Sequence, residues 1–164
     1  MPARSPSRKT SRVGARRRRA ASPVSAPAGA GHGPILGAHQ SIGGGLSRAV
    51  DRAVETGCMA LQIFTRNINR WETTPIEPAA ADAFKRAVSA AGLALVVAHD
   101  SYLINPAASD GDLRSRSIAG LVEELTRAEQ LGIPWVVAHP GAAGQQPRKR
   151  AVQRAATGIA TALS

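Results

Sequence analysis

The stretch that decides the fold is Leu93-Ala-Leu-Val-Val-Ala98, which runs directly into His99-Asp-Ser-Tyr-Leu-Ile-Asn105. A short apolar run of this kind is typical of a buried β-strand. A second run, Ile133-Pro-Trp-Val-Val-Ala138, leads in the same way into His139-Pro-Gly141. Parallel α/β folds carry their functional groups at the carboxyl ends of their strands. The sequence therefore predicts that two histidines lie at the same edge of one sheet.

Apolar and amphipathic runs alternate along the rest of the chain. Two further strands are predicted, at residues 35–38, just before His39, and at residues 59–64. Helices are predicted over residues 46–55, from Pro78 to Gly92, from Asp112 as amino-terminal cap to Gly132, and from Pro147 or Arg148 onward. The third helix has an apolar pattern at helical spacing: Ile118, Leu121, Val122, Leu125 and Ala128. Four βα units with strands apolar on both faces indicate a parallel sheet covered by helices.

The size of the globular part leaves two architectures open. Residues 34–164 number 131, about half of the ~250 residues of an eight-stranded α/β barrel. Four βα units fit either a compact open sheet or the amino-terminal half of a TIM-barrel-type (β/α)8 fold. The motifs favour the half barrel, so residues 34–164 are predicted to be a truncated barrel.

The first 33 residues form a separate, strongly basic segment. They hold eight basic residues and no acidic residue, whereas residues 34–164 hold 13 basic and 11 acidic residues. The segment lacks hydrophobic periodicity, so residues 1–33 are predicted to be a disordered tail. Three interpretations stay open: an arm that binds nucleic-acid phosphates, a transit peptide, or a solvated extension.

Cysteine content and hydropathy limit the cellular setting. Cys58 is the only cysteine, so an intrachain disulfide is excluded and a reducing compartment such as the cytoplasm is expected. No run approaches the ~18 apolar residues of a membrane span, so no membrane partner is expected.

Three of the four histidines close predicted strands, namely His39, His99 and His139, whereas His32 lies in the basic tail. A lone histidine at a strand end is usually a hydrogen-bonded structural residue. Three at equivalent positions in βα units favour a metal site instead, because imidazole is a common zinc ligand and catalytic zinc takes three protein ligands plus water.

Several motifs, in this order and spacing, resemble endonuclease IV, the zinc-dependent apurinic/apyrimidinic (AP) endonuclease family of base-excision repair. The motifs are Gly37-Ala-His39 with Ser41 and Gly44-Gly-Leu46, Phe64-Thr65 with Asn67 and Trp71, the heptapeptide of residues 99–105, Ala128-Glu-Gln-Leu-Gly132, and His139-Pro-Gly141. The heptapeptide is highly specific, whereas the tripeptide alone is weak. The resemblance runs from about residue 35 to residue 141.

The resemblance implies a (β/α)8 barrel with three zinc ions at its carboxyl-end face. It further implies that a zinc-bound hydroxide hydrolyses the phosphodiester 5′ to an abasic nucleotide, leaving a 3′-hydroxyl and a 5′-deoxyribose phosphate. The implied partner is double-stranded DNA containing abasic sites. Members of the family are usually monomeric.

Site residues carry over by position within the matching motifs. His99 and His139 match zinc ligands, and His39 is expected to support the metal site or to contact DNA. Tyr102 and Leu103 match side chains inserted into the minor groove at the lesion. Asn69 and Arg70 lie in a second DNA-contacting loop, where the family commonly has arginine at the position of Asn69.

The same resemblance sets an expectation about activity. The family draws further ligands, including a bridging glutamate, from the second half of its barrel, and no Asp, Glu or His follows His139 here. At most a partial zinc site and weak or absent activity are therefore expected of this chain alone. Two alternatives stay open: a related metal-dependent sugar isomerase or epimerase, and a non-catalytic DNA-binding remnant.

Overall fold

A computed structural model describes residues 34–164, and the predicted tail of residues 1–33 lies outside this range. The described chain alternates four strands with four helices. In order they are β1 (Gly37–His39), α1 (Leu46–Glu55), β2 (Ala60–Phe64), α2 (Pro78–Ala91), β3 (Leu95–His99), α3 (Gly111–Gln130), β4 (Val136–Val137) and α4 (Arg148–Ala162). None of these helices is both long and apolar enough to cross a membrane.

The strands form one parallel sheet in the order β1-β2-β3-β4. Neighbouring strands are also neighbours in sequence, as in the first four units of a (β/α)8 barrel, and each connection carries a helix. The predicted parallel βα architecture is therefore confirmed. The main core lies on the α1 and α2 side of β2 and β3, and includes Val50, Leu61, Ile63, Phe84 and Leu131.

The helix boundaries follow from local sequence signals. α1 covers the predicted residues and buries Ala49, Val50 and Ala53 on one face. α2 begins at Pro78, whose missing amide proton costs nothing in the first helical turn. It ends before Gly92, which adopts the left-handed conformation with φ of 62°.

Each strand is shorter than the apolar run predicted for it, and β4 is shorter by four residues. β1 begins at Gly37, where the backbone of β2 is so close that a Cβ would lie 2.1 Å from the carbonyl oxygen of Ala60. β4 comprises only Val136 and Val137. Pro134 has no amide proton to donate to a neighbouring strand, and Trp135 is 61 % exposed. His39 and His99 are the last residues of their strands, whereas His139 lies two residues beyond β4.

The structure corrects two predictions about α3. Its amino-terminal cap is Asp110, whose carboxylate accepts a 2.7 Å hydrogen bond from the Leu113 amide, and Asp112 lies in the first turn. The buried face is also rotated from the predicted one. Val122 is 43 % exposed, whereas the charged residue Glu124 is only 1 % exposed. Burial of Glu124 depends on ionic partners that periodicity does not reveal.

The cap assignment gives a first prediction. Asp110→Ala removes the only side-chain acceptor of this cap and should lower the free energy of unfolding by about 1 kcal/mol. Asp112→Ala loses only an interaction with the helix dipole, which salt screens. In urea unfolding at 0.5 M NaCl, Asp110→Ala should therefore lower the free energy of unfolding more than Asp112→Ala does. Equal losses for both would contradict the cap assignment.

Candidate metal and nucleic-acid site

Parallel pairing brings the carboxyl ends of three strands together. In the register of the sheet, His39 pairs with Gln62, Phe64 with His99, and His99 with Val137. The last residues of β1, β2 and β3 therefore form one edge, and the loops that follow these strands leave from it.

The three predicted histidines meet at this edge. The ring centroids of His99 and His139 are 5.2 Å apart, and those of His39 and His99 are 6.4 Å apart. Tyr102 lies beside both ligand candidates, with centroid distances of 5.4 Å to His99 and 6.0 Å to His139. Phe64 packs edge-on against His99 at 5.3 Å. The structure thus gathers residues that lie 100 positions apart in the chain, from 39 to 139.

The hydrogen bond of His99 fixes its tautomer. Nδ1 lies 2.8 Å from the backbone oxygen of Asp100. A carbonyl oxygen can only accept, so Nδ1 carries a proton, and in the neutral ring Nε2 then keeps its lone pair. Metal-ligating histidines commonly donate their second nitrogen to a carbonyl in this way. The observed bond therefore fits His99 to a divalent cation.

His39 has a different environment. The Gln62 amide nitrogen lies 2.9 Å from Nδ1 of His39 and donates to it, which leaves the ring proton on Nε2. Burial, and then the charge of His99, lower the pKa of His39. A neutral ring with an Nε2 proton is suited to donate to an anion rather than to bind a cation. The supporting or DNA-contacting role expected of His39 stays a prediction.

Asp100 places a buried carboxylate behind the histidines. It is 1 % exposed, and its Oδ1 lies 3.5 Å from His99 Nδ1. Neither carboxylate oxygen has a hydrogen-bond partner of good geometry within residues 34–164. Burial raises the pKa of Asp100 to about 6, although His99 and the nearby backbone amide and ring of His139 oppose this rise. Negative charge here would favour a cation at the histidine edge.

These residues fit zinc as two ligands of an ion but not as a complete set. Imidazole nitrogen suits zinc, and the two rings are close enough to share one ion. Among residues 34–164, however, no group of three or more His, Cys, Asp and Glu side chains could hold a metal. The described part of the chain therefore supplies at most part of a zinc site.

The four predicted DNA contacts lie on two loops beside the histidines. Tyr102 is 64 % exposed, and Leu103 is half-buried. Asn69 and Arg70 are both exposed on the loop that follows β2. The two loops touch where the Ser101 hydroxyl donates a 2.9 Å hydrogen bond to the backbone oxygen of Ile68. The structure therefore brings both predicted contact segments to one surface.

The loop that carries His139 is tied to the heptapeptide by Asn105. The Asn105 Oδ1 accepts a 3.1 Å hydrogen bond from the Ala142 amide, and its Nδ2 lies 3.5 Å from the Ala142 oxygen. Gly141 passes so close that a Cβ would lie 2.0 Å from Oδ1, and its φ is +97°. This contact explains why a glycine follows His139-Pro140. It also holds His139 near His99.

Sequence reasoning missed the buried charges beneath this surface. Glu124 and Arg127 of α3 bond to Thr65 and Arg66, at the start of the loop that carries Asn69. The available signal was the acidic residue three positions after Leu121, on the face expected to be apolar. Sequence reasoning placed Phe64 at a strand end and in a family motif but gave it no role at the site, although its ring packs against both His39 and His99.

Comparison with known proteins first places the chain in a fold family. A family model described as the xylose isomerase-like TIM barrel matches residues 50–164. The chain therefore belongs to the xylose isomerase-like TIM-barrel family. The predicted barrel-type fold is confirmed.

Within this fold, the chain is similar to proteins named endonuclease 4. It is 48 % identical over 107 residues to the probable endonuclease 4 of Citrifermentans bemidjiense, a match that covers 65 % of this chain and 38 % of the relative. The crystal structure of endonuclease IV from Thermus thermophilus matches with a TM-score of 0.68 and 34 % identity, covering 80 % of this chain and 48 % of that one. The predicted resemblance to endonuclease IV is confirmed, and the chain spans less than half the length of these relatives.

A sugar-modifying enzyme also shares the fold. The structure of D-psicose 3-epimerase in the presence of D-fructose matches with a TM-score of 0.55 and 15 % identity, covering 73 % of this chain and 42 % of that one. Likeness at this identity shows the fold alone. It gives no support to the isomerase alternative.

The Gly141 contact gives a second prediction. Gly141→Ala combines a left-handed backbone with a Cβ in the space of Asn105 Oδ1, so it should lower the free energy of unfolding by about 1–3 kcal/mol. Gly144→Ala is the matched control, because its φ is +57° but nothing lies within 4 Å of a Cβ. Thermal unfolding should show the larger loss at Gly141.

A double variant tests the mechanism of that loss. In an Asn105→Ala background the contact with Oδ1 is absent and the backbone nitrogen of Ala107, 3.2 Å from the added Cβ, remains, so the cost of Gly141→Ala should fall toward that of Gly144→Ala. An undiminished cost in that background would assign the loss to backbone strain alone.

Proposed function

We propose that this chain acts in DNA base-excision repair as part of an AP endonuclease, binding duplex DNA at abasic sites in the cytoplasm. The reaction is hydrolysis of the phosphodiester 5′ to the lesion, giving a 3′-hydroxyl and a 5′-deoxyribose phosphate. The observation that carries the proposal is the pair of imidazoles 5.2 Å apart beside an exposed tyrosine. The similarity to endonuclease 4 proteins supports it.

His99 and His139 are the proposed ligands. The Nδ1 proton of His99 is directed to the Asp100 carbonyl, which leaves Nε2 free for a cation. When bound, zinc at such a site lowers the pKa of water and neutralises charge on the attacked phosphate. Two histidines alone form a weak site, since three protein ligands are usual. With this ligand set we expect weak or absent incision of DNA by this chain alone. A complete site of the family holds three zinc ions.

Tyr102 and Leu103 are proposed to recognise the lesion. An abasic nucleotide lacks one stacking partner, so the duplex kinks there at a lower cost than in intact DNA. An exposed aromatic ring followed by an apolar side chain fills the gap from the minor groove. Arg70 and the amide of Asn69 then contact the phosphates or base edges beside it, and His39 can donate its Nε2 proton to a phosphate.

A third prediction concerns zinc binding. Competition with a chromophoric chelator at pH 7.5 should show one zinc ion bound by the 164-residue chain. Loss of a residue that only hydrogen-bonds to a metal ligand weakens metal binding roughly 10- to 100-fold. His99→Ala and His139→Ala each remove a proposed ligand, so each should weaken zinc binding by at least that much. His32→Ala, at the remaining histidine, is the control. Equal affinity in all four proteins would contradict the proposed ligands.

A fourth prediction concerns the lesion. Fluorescence anisotropy should show tighter binding to a duplex with a tetrahydrofuran abasic analogue than to the intact duplex. Tyr102→Ala should reduce this preference roughly tenfold, because stacking contacts are worth about 1–3 kcal/mol each. Trp135→Ala is the control, since Trp135 is as exposed as Tyr102 but precedes β4, at the opposite edge of the sheet.

The same assay tests the non-catalytic alternative. A DNA-binding remnant that uses its basic tail would bind intact and abasic duplexes equally, with a steep dependence on salt. Its binding would also disappear when residues 1–33 are deleted. Lesion preference that survives this deletion would exclude the alternative.

A further inference from the structure

The loop that carries Asn69 and Arg70 is fastened to the side of α3 by buried charges. This segment, residues 65–77, is called the 65–77 loop. α3 turns a strip toward it that is formed by the buried polar residues Ser117, Glu124 and Arg127 and by the half-buried Gly120. A helix face that contacts a sheet is normally apolar, so the strip requires a separate explanation.

Glu124 is the centre of the strip. Its Oε2 accepts a 2.7 Å hydrogen bond from the Thr65 hydroxyl, and its Oε1 accepts a 2.6 Å bond from Arg66 Nε. Arg66 in turn donates from Nη1 to the backbone oxygen of Trp71 at 3.1 Å. The side chains of the ion pair are only 1 % and 4 % exposed. One carboxylate thus holds two consecutive loop residues and, through Arg66, a third.

Arg127, one turn further along α3, holds the other end of the loop. Its Nη2 donates to the Thr65 oxygen at 2.7 Å, and its Nη1 donates to the Thr74 oxygen at 2.9 Å. Burial lowers the pKa of Arg127, whereas Glu123 and Glu124 raise it. Residues nine positions apart in the loop are therefore joined to the same guanidinium.

A cavity of about 750 Å³ lies against the loop, lined by residues 72–77, by Arg66 and Arg127, and by Leu46 at the start of α1. Apolar contacts also support the loop, since Ile76 packs against the main core and Trp71 lies over Gly120. The polar contacts with Glu124 and Arg127 are directional, and they hold Thr65 and Thr74 at defined positions.

The same helix strip also holds the heptapeptide loop. The Ser117 hydroxyl accepts a 2.9 Å hydrogen bond from the backbone amide of Asn105. At Gly120, an added Cβ would lie 3.4 Å from Ile104 and 3.5 Å from Trp71, so one residue of the heptapeptide and one of the 65–77 loop pack over it together. α3 thus sets both loops that bear the proposed DNA contacts.

Stability alone does not account for a buried ion pair here. Removing two charges from water costs several kcal/mol per ion, and well-packed apolar residues of similar volume often stabilise a fold equally well. Apolar residues would not, however, fix backbone oxygens at defined positions. Directional bonds to Thr65, Trp71 and Thr74 do so.

We propose that Glu124 is a positioning residue for lesion recognition, which fixes the 65–77 loop against α3 so that Asn69 and Arg70 stay beside Tyr102 and Leu103. The positional part rests on the contacts of Glu124, and its role in recognition rests on the proposed function. Glu124 itself is buried beneath the loop, so its proposed role is indirect.

Hydrogen exchange of the full 164-residue chain, measured by mass spectrometry, tests the positional part without DNA. Glu124→Gln keeps the shape of the side chain but removes its charge. Amides of residues 66–77 should then exchange about tenfold faster or more, because the loop leaves the surface of α3 more often once the side chains of Thr65 and Arg66 lose their bonds to a charged group. Amides of β2 and β3 should keep their protection. Glu129→Gln, the same change at an exposed site on α3, should alter neither.

Thr65→Val provides a second route should Glu124→Gln fail to fold. It removes only the hydroxyl that joins Glu124 to Arg127, and should raise loop exchange roughly three- to tenfold. Unchanged loop exchange, or a rise that is equal in the loop and the sheet, would overturn the proposal. A general loss of stability gives the second pattern, and release of the loop does not.

Binding to the abasic-analogue duplex tests the recognition part. Glu124→Gln should weaken it roughly tenfold, since small misplacements of contact residues are costly, and Glu129→Gln should not. Faster loop exchange with unchanged lesion binding would overturn the role in recognition. Failure of the unaltered chain to prefer abasic over intact duplex is a different result: it would overturn the proposed function, while the exchange measurement still decides the positional part.

Discussion

The parallel pairing of β1 to β4 is the constraint on which the rest of the structure depends. In a parallel sheet every strand ends at the same edge, so a residue at one strand end has its counterpart on the next strand beside it. The register that pairs Phe64 with His99 and His99 with Val137 brings His39, His99 and His139 within reach of one another. No local signal near any single histidine would achieve this. The meeting of the rings is a consequence of topology.

Hydrogen bonds position the loops at that edge, because loop backbones cannot be buried among apolar side chains without partners. Asn105 holds the loop of His139 through both of its side-chain polar groups, and Ser101 joins the heptapeptide to Ile68. Glu124 and Arg127 do the same for residues 65–77. Each of these residues bonds to main-chain atoms or to a loop side chain, so each defines a position rather than only an amount of buried surface.

The elements whose boundaries the sequence predicts are those controlled by local signals. α1 and the start and end of α2 follow from apolar periodicity, Pro78 and Gly92. The ends of the strands are predicted less accurately from sequence, because the two-residue length of β4 depends on its pairing with a neighbouring strand. The face of α3 was misjudged at Val122 and Glu124, since the partners of Glu124 lie 58 and 59 residues away in sequence. The site histidines could be proposed from strand-end positions, whereas the Asn105 and Glu124 contacts required the fold.

In the described chain, apolar packing stabilises the fold, whereas polar contacts position the loops of the candidate site. Apolar packing of α1, α2, β2 and β3 forms the main core, with Leu61, Ile63 and Phe84 almost wholly buried. Such burial is non-directional and is worth ~25 cal/mol per Å² of apolar surface, so it stabilises the fold but fixes no loop. The α3 side buries Ser117, Glu124 and Arg127, whose bonds are directional but whose desolvation is unfavourable. The polar strip of α3 therefore acts on the shape of the loops above it more than on the net stability of the fold.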